Sequence, residues 1–458
     1  MNKENVLSKL IYKDKNFYKL VAAMMIPIAC QNMITIGVNI TDTMMLGALG
    51  EIQLSASSLA GQYVNMFQVF CMGTSMGASV LASRYWGMKE LKSLHITITI
   101  MIRIIMGLAC LFALPAIFAP EWIMRMYTSD PVIISEGVKY LGFSIPAFFF
   151  HGLSQTSTII MRSMKKVRLP LCTSIGAFVL NIVGNYIFIF GKCGFPVMGI
   201  AGASLSTLLV RIFECVINFG YLAFIEKEAH YRIHKIFMKT RDLLPEYIRI
   251  SIPVLISDGM MAFGNNTVMM IVGRLGAGFV AANAIAAVVE RLCTAFSGGV
   301  SQSSAVITGN TLGEGNENQV KEQGYAFLGL GMFLGVGGGI LILLICNPVI
   351  RAYHLTAETA AITKQLLTAS ALIAIFQSTS NILTKGVLRG GGDTKVLMIA
   401  DSIFLWVVSV PLGYVCGLKL GLAPFWIYMA LKVDNFCKMF WSAHRLKSGK
   451  WIKRIKAV

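Results

Sequence analysis

The chain contains an internal repeat. Residues 26–87 align without a gap to residues 252–313 at a constant offset of 226 positions, and fifteen of the 62 aligned residues are identical, among them Pro27 with Pro253. Since the offset is about half of the 458 residues, two copies of one unit are expected. Repeated bundles of membrane helices are typical of secondary transporters, which bind their substrate between the halves.

The composition indicates a membrane protein. Only 14% of the residues are charged and the mean hydropathy is +0.67, whereas a soluble chain has about 25% charged residues. Long apolar runs recur from end to end, as in a chain that crosses the membrane many times. No small-residue cleavage site ends the first run, so we expect it to stay as a helix of the mature protein rather than a signal peptide.

The apolar runs predict twelve transmembrane helices in an all-α membrane protein, with two six-helix lobes related by the repeat. The predicted spans are 18–46, 53–83, 94–119, 132–161, 168–190, 196–225, 245–273, 279–309, 320–349, 360–388, 395–417 and 421–444. The expected organisation is a cytoplasmic segment 1–17, an N-lobe 18–225, a cytoplasmic linker 226–244, a C-lobe 245–446 and a basic tail 447–458. We expect part of the linker to form an amphipathic helix at the lipid surface.

The basic residues predict the orientation. With the N-terminus inside and the adjoining helix ends counted with each loop, the inner side carries 28 of the 40 Lys and Arg residues and the outer side carries six. This bias favours both termini in the cytoplasm, and we expect the cell inner membrane. The net charge of +18 is concentrated beside apolar helices, between Lys227 and Arg249 and between Arg445 and Lys456. Contact with anionic lipid explains that placement better than a nucleic-acid partner.

The sequence lacks the motifs that would indicate a soluble enzyme. The ten cysteines are scattered singly without C-x-x-C spacing, and no Cys/His cluster has the spacing of a zinc site. The G-x-S-x-G match at 73–77 lies in a predicted membrane helix with no strand before it, so it is not a nucleophile elbow. The glycine runs lack a Walker lysine. We therefore expect no enzyme, no bound metal and no cofactor.

Asp42 is the first candidate for chemistry, because ionisable residues inside a membrane are costly and usually functional. It lies in NITDTMMLG, with Asn39 and Thr41 beside it, and its partner in the repeat is Val268. A role in helix packing common to both halves would predict similar residues at both sites, so the asymmetry favours function. A carboxylate held away from water suits a proton carrier. The alternative is a solvated aspartate near the outer mouth.

Asn181 and Asn185 lie one helical turn apart, on one face of the fifth predicted helix. They could provide oxygens for a cation or hydrogen-bond to Asp42. The alternative, a pair of interhelical hydrogen bonds, is common in membrane bundles. The residues leave this choice open.

Other polar residues are candidates for a substrate cavity. Asp258 follows Pro253 by about one turn, where a proline frees a backbone carbonyl, and a helix-end hydrogen bond is its alternative. Gln31 is one of the positions at which the two halves differ. The remaining candidates are Asn39, Glu290 and His151, and Asp401 and Asp434 are further carboxylates inside the predicted spans. Arg211 and Glu214 are three residues apart and are expected to form a structural ion pair.

Several segments together resemble the multidrug and toxic compound extrusion family. The likeness covers nearly the whole chain, and its segments are DTMMLGALG followed by ASSLA, MMIVGRLGAGFVAANAIA, NIVGNYIFIFG followed by MGIAGASLST, LRGGGDTK at 388–395 and, in a degenerate form, MRSMKKVRLP at 161–170. The resemblance implies an antiporter of two six-helix lobes that exports cationic or amphipathic drugs in exchange for H⁺ or Na⁺.

The resemblance also implies roles for particular residues. Asp42 matches the family's carboxylate in the first helix, and Asn181 matches an asparagine of the N-lobe cation site, so that these two are candidate Na⁺ ligands. Asn185 stands where several members carry an aspartate. Ser204, Ser206 or Thr207 matches the hydroxyl of that site in the sixth helix, and Thr207 is our choice. The C-lobe acids of sodium-coupled members are absent, because Met261 stands at the position in the seventh helix and the stretch FQSTSN at 376–381 in the tenth contains no acid.

The rival function is a flippase for lipid-linked oligosaccharides, from the same superfamily. It would need a cavity lined with basic residues for a pyrophosphate, and the membrane spans offer few, namely Arg103, Arg211 and Arg291. We expect a monomer whose partners are the bilayer and its small-molecule substrates. The sequence does not identify the substrate or choose between H⁺ and Na⁺.

Overall fold

A computed structural model describes residues 12–353 and 355–455. About 85% of the described residues are helical, and none of them forms a β-strand. In this part of the chain twelve long helical segments follow one another, numbered α1 to α12. They are Lys15–Gly47, Glu51–Gly87, Leu91–Phe118, Pro131–Ser163, Arg168–Phe190, Ile200–Ile225, Leu244–Gly273, Ala277–Cys293 with Ala295–Gly313, Glu317–Ala352, Ala357–Leu388, Thr394–Lys419, and Pro424–Leu431 with Val433–Ser448.

The prediction of an all-α membrane protein is confirmed. Within the described ranges, nine helices are long and apolar enough to cross a membrane, or ten if the two parts of α8 form one span. Helices suit this setting because they satisfy every backbone hydrogen-bonding group within the segment. Twelve membrane crossings remain a prediction.

The predicted spans agree with the helices to within a few residues, but three local features differ. The two parts of α8 meet at Thr294 with a bend of 51°, and α12 is interrupted at Lys432. The expected amphipathic helix in the linker is wrong, because only the short 3₁₀ turn Ile233–Phe237 forms there. Its carbonyls bond to side chains of α3 instead: Arg103 donates to the Ile236 carbonyl at 2.6 Å.

The chain is divided into two compact units. One comprises residues 30–251, and the other comprises residues 252–455 together with the described residues up to 29. The divisions fall inside α1 and α7, close to the repeated prolines Pro27 and Pro253. The lobe limits expected from the sequence stay a prediction.

Side-chain packing joins the helices within each unit. In the 30–251 unit, the rings of Phe67, Phe112 and Phe148 lie with centroids between 4.7 and 6.4 Å apart, and they connect α2, α3 and α4. In the other unit, Gly335 and Gly339 bring α9 against the backbone of α10, where a methyl group on either glycine would meet Ile375 or Ala371. Small residues four apart allow membrane helices such close approach.

Candidate functional site

Asp42 of α1 contacts two asparagines of α5. The Nδ2 of Asn185 donates a hydrogen bond to Oδ1 of Asp42 at 2.5 Å, and the same amide lies 3.4 Å from Oδ1 of Asn181. Both asparagines are buried, whereas Asp42 is partly buried. One helical turn separates the asparagines, so both present their amides on the face of α5 that meets α1. The three side chains form one polar site between these helices.

This site has an unused acceptor. The Oδ1 of Asn185 is buried and has no hydrogen-bond partner among the described residues. Buried polar groups are normally paired, so an orphan oxygen beside a carboxylate marks a place for an additional donor or cation. Carboxylate and amide oxygens are the ligands that hard cations prefer. The residues present therefore fit either a proton on Asp42 or a bound Na⁺.

A serine of α6 donates a hydrogen bond to the backbone of this site, whereas the hydrogen bond of Thr207 stays within its own helix. The hydroxyl of Ser206 donates to the backbone carbonyl of Asn181 at 3.3 Å. Thr207 donates within its own helix, to the Ala203 carbonyl at 3.1 Å. Asn39, which precedes Asp42 by less than one turn, is exposed.

Charged residues of α6 lie near Asp42. The Nη1 of Arg211 and Oε2 of Glu214 are 2.7 Å apart, as their spacing predicts. Arg211 is also close enough to act electrostatically on Asp42 and on His151. Because Arg211 and Glu214 neutralise each other, the charge of Asp42 is left over, and these three residues carry one net negative charge. The Nδ1 of His151 is buried without a hydrogen-bond partner in the described structure.

Gln31 lies elsewhere in the same unit. It is buried, and its Oε1 accepts a hydrogen bond from Nη2 of Arg162 at the end of α4. Its carbonyl is thus committed to a contact between helices.

Asp258 has the equivalent contact in the other unit. Its Oδ1 lies 3.1 Å from Nη2 of Arg389 in the LRGGGDTK segment. Arg162 and Arg389 occupy the second position of the two related segments, and each contacts the first helix of its own repeat four or five residues after the repeated proline. The repeat thus preserves an arginine contact whose acceptor is an amide in one half and a carboxylate in the other. The likeness of MRSMKKVRLP to LRGGGDTK was the signal for this pair of contacts.

A buried ion-pair network lies next to Asp258 in the same unit. Ser257 donates to Oδ2 of Asp401 at 2.8 Å, and the Nζ of Lys438 lies 3.4 Å from Oδ1 of Asp401 and 3.0 Å from Oδ2 of Asp434. Ser409 donates to Oδ1 of Asp434 at 3.1 Å. The network joins α7, α11 and α12. The sequence analysis did not identify Lys438, although a lysine four residues after Asp434 has the spacing of a helical ion pair.

Glu290 makes a separate contact in this unit. Its Oε2 accepts a hydrogen bond from the Tyr428 hydroxyl at 3.1 Å, and the Nζ of Lys432 lies 3.8 Å from Oε1. Lys432 stands at the interruption of α12. The carboxylate of Glu290 is therefore paired inside the unit.

Comparisons with known proteins agree with this fold. A family model described as MatE matches residues 27–187 and 253–415. An uncharacterised transporter, YisQ of Bacillus subtilis (strain 168), is 22% identical over 418 residues, which are 90% of each chain. A probable multidrug resistance protein NorM of Thermotoga maritima is 27% identical over 455 residues, with 94% and 92% of the two chains covered.

A solved structure shows the same fold. It is the outward-facing conformation of a multidrug resistance MATE family transporter of the MOP superfamily. The TM-score is 0.84 at 17% identity, with 98% of this chain and 100% of that chain covered.

The helices and the repeat define a multi-pass membrane protein of the transporter class. The two family-model matches cover most of both halves, and the chain belongs to the MatE family, as its sequence motifs indicate.

Proposed function

We propose that this chain is an antiporter that exports cationic or amphipathic small molecules in exchange for H⁺ or Na⁺, with Asp42 as the principal coupling carboxylate. The observation that carries the proposal is the hydrogen bond between Asp42 and Asn185. The Oδ1 of Asn185 lies buried without a hydrogen-bond partner among the described residues. Relatives named as multidrug resistance proteins support the substrate class.

The net charge of the Asp42 site explains how a drug cation could be exchanged for H⁺ or Na⁺. Asp42, Arg211 and Glu214 together carry one net negative charge, and the carboxylate of Asp42 is the part not paired with a basic group in the described structure. One proton, one Na⁺ or one monovalent organic cation neutralises it. A drug cation and the coupling ion therefore compete for the same charge, and each favours the conformers to which it binds more tightly.

Binding at this site changes the contact between α1 and α5. Asp42 as a carboxylate accepts the hydrogen bond from Asn185. Once protonated, Asp42 attracts Arg211 less and can itself donate, and the unused Oδ1 of Asn185 is an acceptor next to it. Protonation therefore gives these helices a second set of hydrogen bonds, which is the differential interaction that a coupled conformational change requires.

The proposed orientation places both termini in the cytoplasm. The lysine and arginine bias, together with bacterial relatives, supports the cytoplasmic membrane with both termini inside. We propose a monomer, since each unit contains its own polar network. The flippase alternative gains no support, because Arg103 binds the linker and Arg211 pairs with Glu214.

Ethidium efflux from membrane vesicles tests the proposal. The vesicles are given a pH gradient without sodium, and then a sodium gradient at constant pH. Efflux driven by one of them is expected, and vesicles without the protein are the control. A response to neither gradient would contradict coupled antiport.

A further inference from the structure

Lys438 lies in the middle of the buried network of the 252–455 unit. Its side chain is 5% exposed, and those of Asp401 and Asp434 are 4% and 8% exposed. The Nζ faces one oxygen of each carboxylate, at 3.4 Å and 3.0 Å. Three charged groups so well excluded from water are expensive to hold in a protein, and in membrane helices such groups are usually functional.

Two serines orient the carboxylates around the lysine. Ser257 donates to Oδ2 of Asp401 and Ser409 donates to Oδ1 of Asp434, which are the oxygens not paired with Lys438. Each hydroxyl fixes the direction of a carboxylate from a different helix, since Ser257 is in α7 and Ser409 is in α11. The two remaining oxygens converge on one point, and the ammonium group occupies it. This is the arrangement of a small oxygen-lined cation site with its cation already attached to the chain.

The wider charge balance agrees with this description. Beside the network lie the Asp258–Arg389 pair and Lys385, which acts electrostatically on Asp258 and Asp401. The described groups of this cluster are then three aspartates and three basic residues, so the cluster has no net charge. In the other unit, the site of Asp42 has one net negative charge. The second cluster therefore has no unmet charge for an exchangeable ion to neutralise.

We propose that Lys438 is a built-in cation that holds a monovalent cation site of the second half permanently occupied. The site would be lined by Asp401 and Asp434, and its role in the protein is to keep α7, α11 and α12 together without a free ion. Exchange of H⁺ or Na⁺ then belongs to Asp42 alone, a consequence that rests on the proposed function. Removal of the lysine side chain should open the second site to Na⁺.

The test is made in the Asp42→Asn background, so that Na⁺ bound at Asp42 makes no contribution. Purified Asp42→Asn and Asp42→Asn/Lys438→Met proteins are compared by thermal unfolding in detergent, with NaCl replaced stepwise by choline chloride at constant ionic strength. We expect Na⁺ to raise the Tm of the Lys438→Met protein saturably, by about 2 °C or more, since a ligand that binds only the folded state stabilises it. The Asp42→Asn protein should show no such rise.

Two further variants separate an opened site from a general loss of stability. Addition of Asp434→Asn to the Lys438→Met protein restores the net charge of the triad, and that protein should fold and ignore Na⁺. Lys432→Met removes a lysine that faces the single carboxylate of Glu290, and it should give no response to Na⁺.

A Lys438→Met protein whose Tm depends on Na⁺ no more than that of its parent would overturn the proposal. A second result would also overturn it: the Lys438→Met protein cannot be recovered in NaCl or in choline chloride, whereas its Asp434→Asn derivative can. If the proposal is right, saturating Na⁺ takes the place of the lysine ammonium group and the Lys438→Met protein folds in NaCl. Both results concern Asp401 and Asp434 only, so they leave the role of Asp42 to its own test.

Discussion

Asn185 donates its side-chain amide to the carboxylate of Asp42, across 143 residues of sequence. This hydrogen bond connects the first and fifth helices of the first half. It gives an isolated membrane carboxylate a partner that changes role when the carboxylate gains a proton or a cation.

Replacement of Asn185 by leucine should shift the pH dependence of transport. Hydrogen bonds to charged groups are worth about 1.5–3 kcal/mol, and loss of this donor makes the charged form of Asp42 less stable by that amount. The pH of half-maximal transport should therefore be higher than in the wild-type protein. Transport is measured in proteoliposomes across a range of pH values.

Asn218→Leu is the matched control for Asn185→Leu. Asn218 is equally buried in the same unit but bonds to Thr173 and Thr158 rather than to Asp42. Its replacement should lower stability without moving the pH profile. Equal shifts for the two variants would show that Asn185 acts only through the stability of the fold.

Arg389→Met should destabilise the protein by about 3 kcal/mol, because it leaves the carboxylate of Asp258 without its charged partner. The double variant Arg389→Met/Asp258→Asn should recover most of this loss, since both charges are then removed. Thermal unfolding of the purified proteins measures both effects. If the double variant is as unstable as the sum of the two single ones, the ion pair is not the cause.

The segment after α12 should contribute to stability through Trp451. This side chain is fully buried, packs against Gly391 and donates to the Leu446 carbonyl at 3.1 Å. Trp451→Ala should cost about 3–5 kcal/mol, as is usual for buried large side chains. Trp426, which is 59% exposed, provides the control, and its alanine variant should lower the Tm of the purified protein much less.

Lys166, in the loop between α4 and α5, forms an ion pair with Glu226 of the linker, and the contribution of this pair to stability depends on pH. Burial would raise the pKa of Glu226, but the hydrogen bond from Lys166 at 2.8 Å and that from the Glu228 backbone outweigh it and hold the pKa below its usual value. The pair should therefore stabilise the protein at neutral pH and lose that contribution as the pH falls through the lowered pKa of Glu226.

Glu226→Gln should lower the Tm at pH 7 and have less effect with each step below about pH 4.5. Glu228→Gln is the control, because Glu228 faces the same lysine at 3.0 Å but is 62% exposed, and exposed pairs contribute little. Equal effects of the two substitutions at pH 7 would contradict the role given to the pair of Lys166 and Glu226.

The sequence predicted the helices well, because a membrane span is recorded directly in the length of an apolar run. It did not predict the interruptions at Thr294 and Lys432, since apolar residues continue on both sides of each. The linker was misjudged for another reason: its basic and apolar residues suggested a lipid-bound helix, whereas polar side chains of α3 bind its backbone.

For the sites, the sequence identified residues more readily than contacts. Asp42 and Asn185 were candidates, but only the structure shows that they bond to each other. Asp401 and Asp434 were visible as membrane carboxylates, whereas Lys438 was overlooked. The repeat pointed to the broken position at Asp42, which has no ion-pair partner among the described residues, whereas Asp258 pairs with Arg389. Such pairings join residues far apart in the chain, and no local pattern records them.

The central claim is that Asp42 couples the ion gradient to export. The most direct measurement compares wild-type and Asp42→Asn protein in proteoliposomes, with ethidium transport followed under an imposed pH or sodium gradient and also without one. The account predicts that the asparagine variant is inserted normally but no longer responds to the gradient. Gradient-driven transport by Asp42→Asn at the wild-type rate would contradict it.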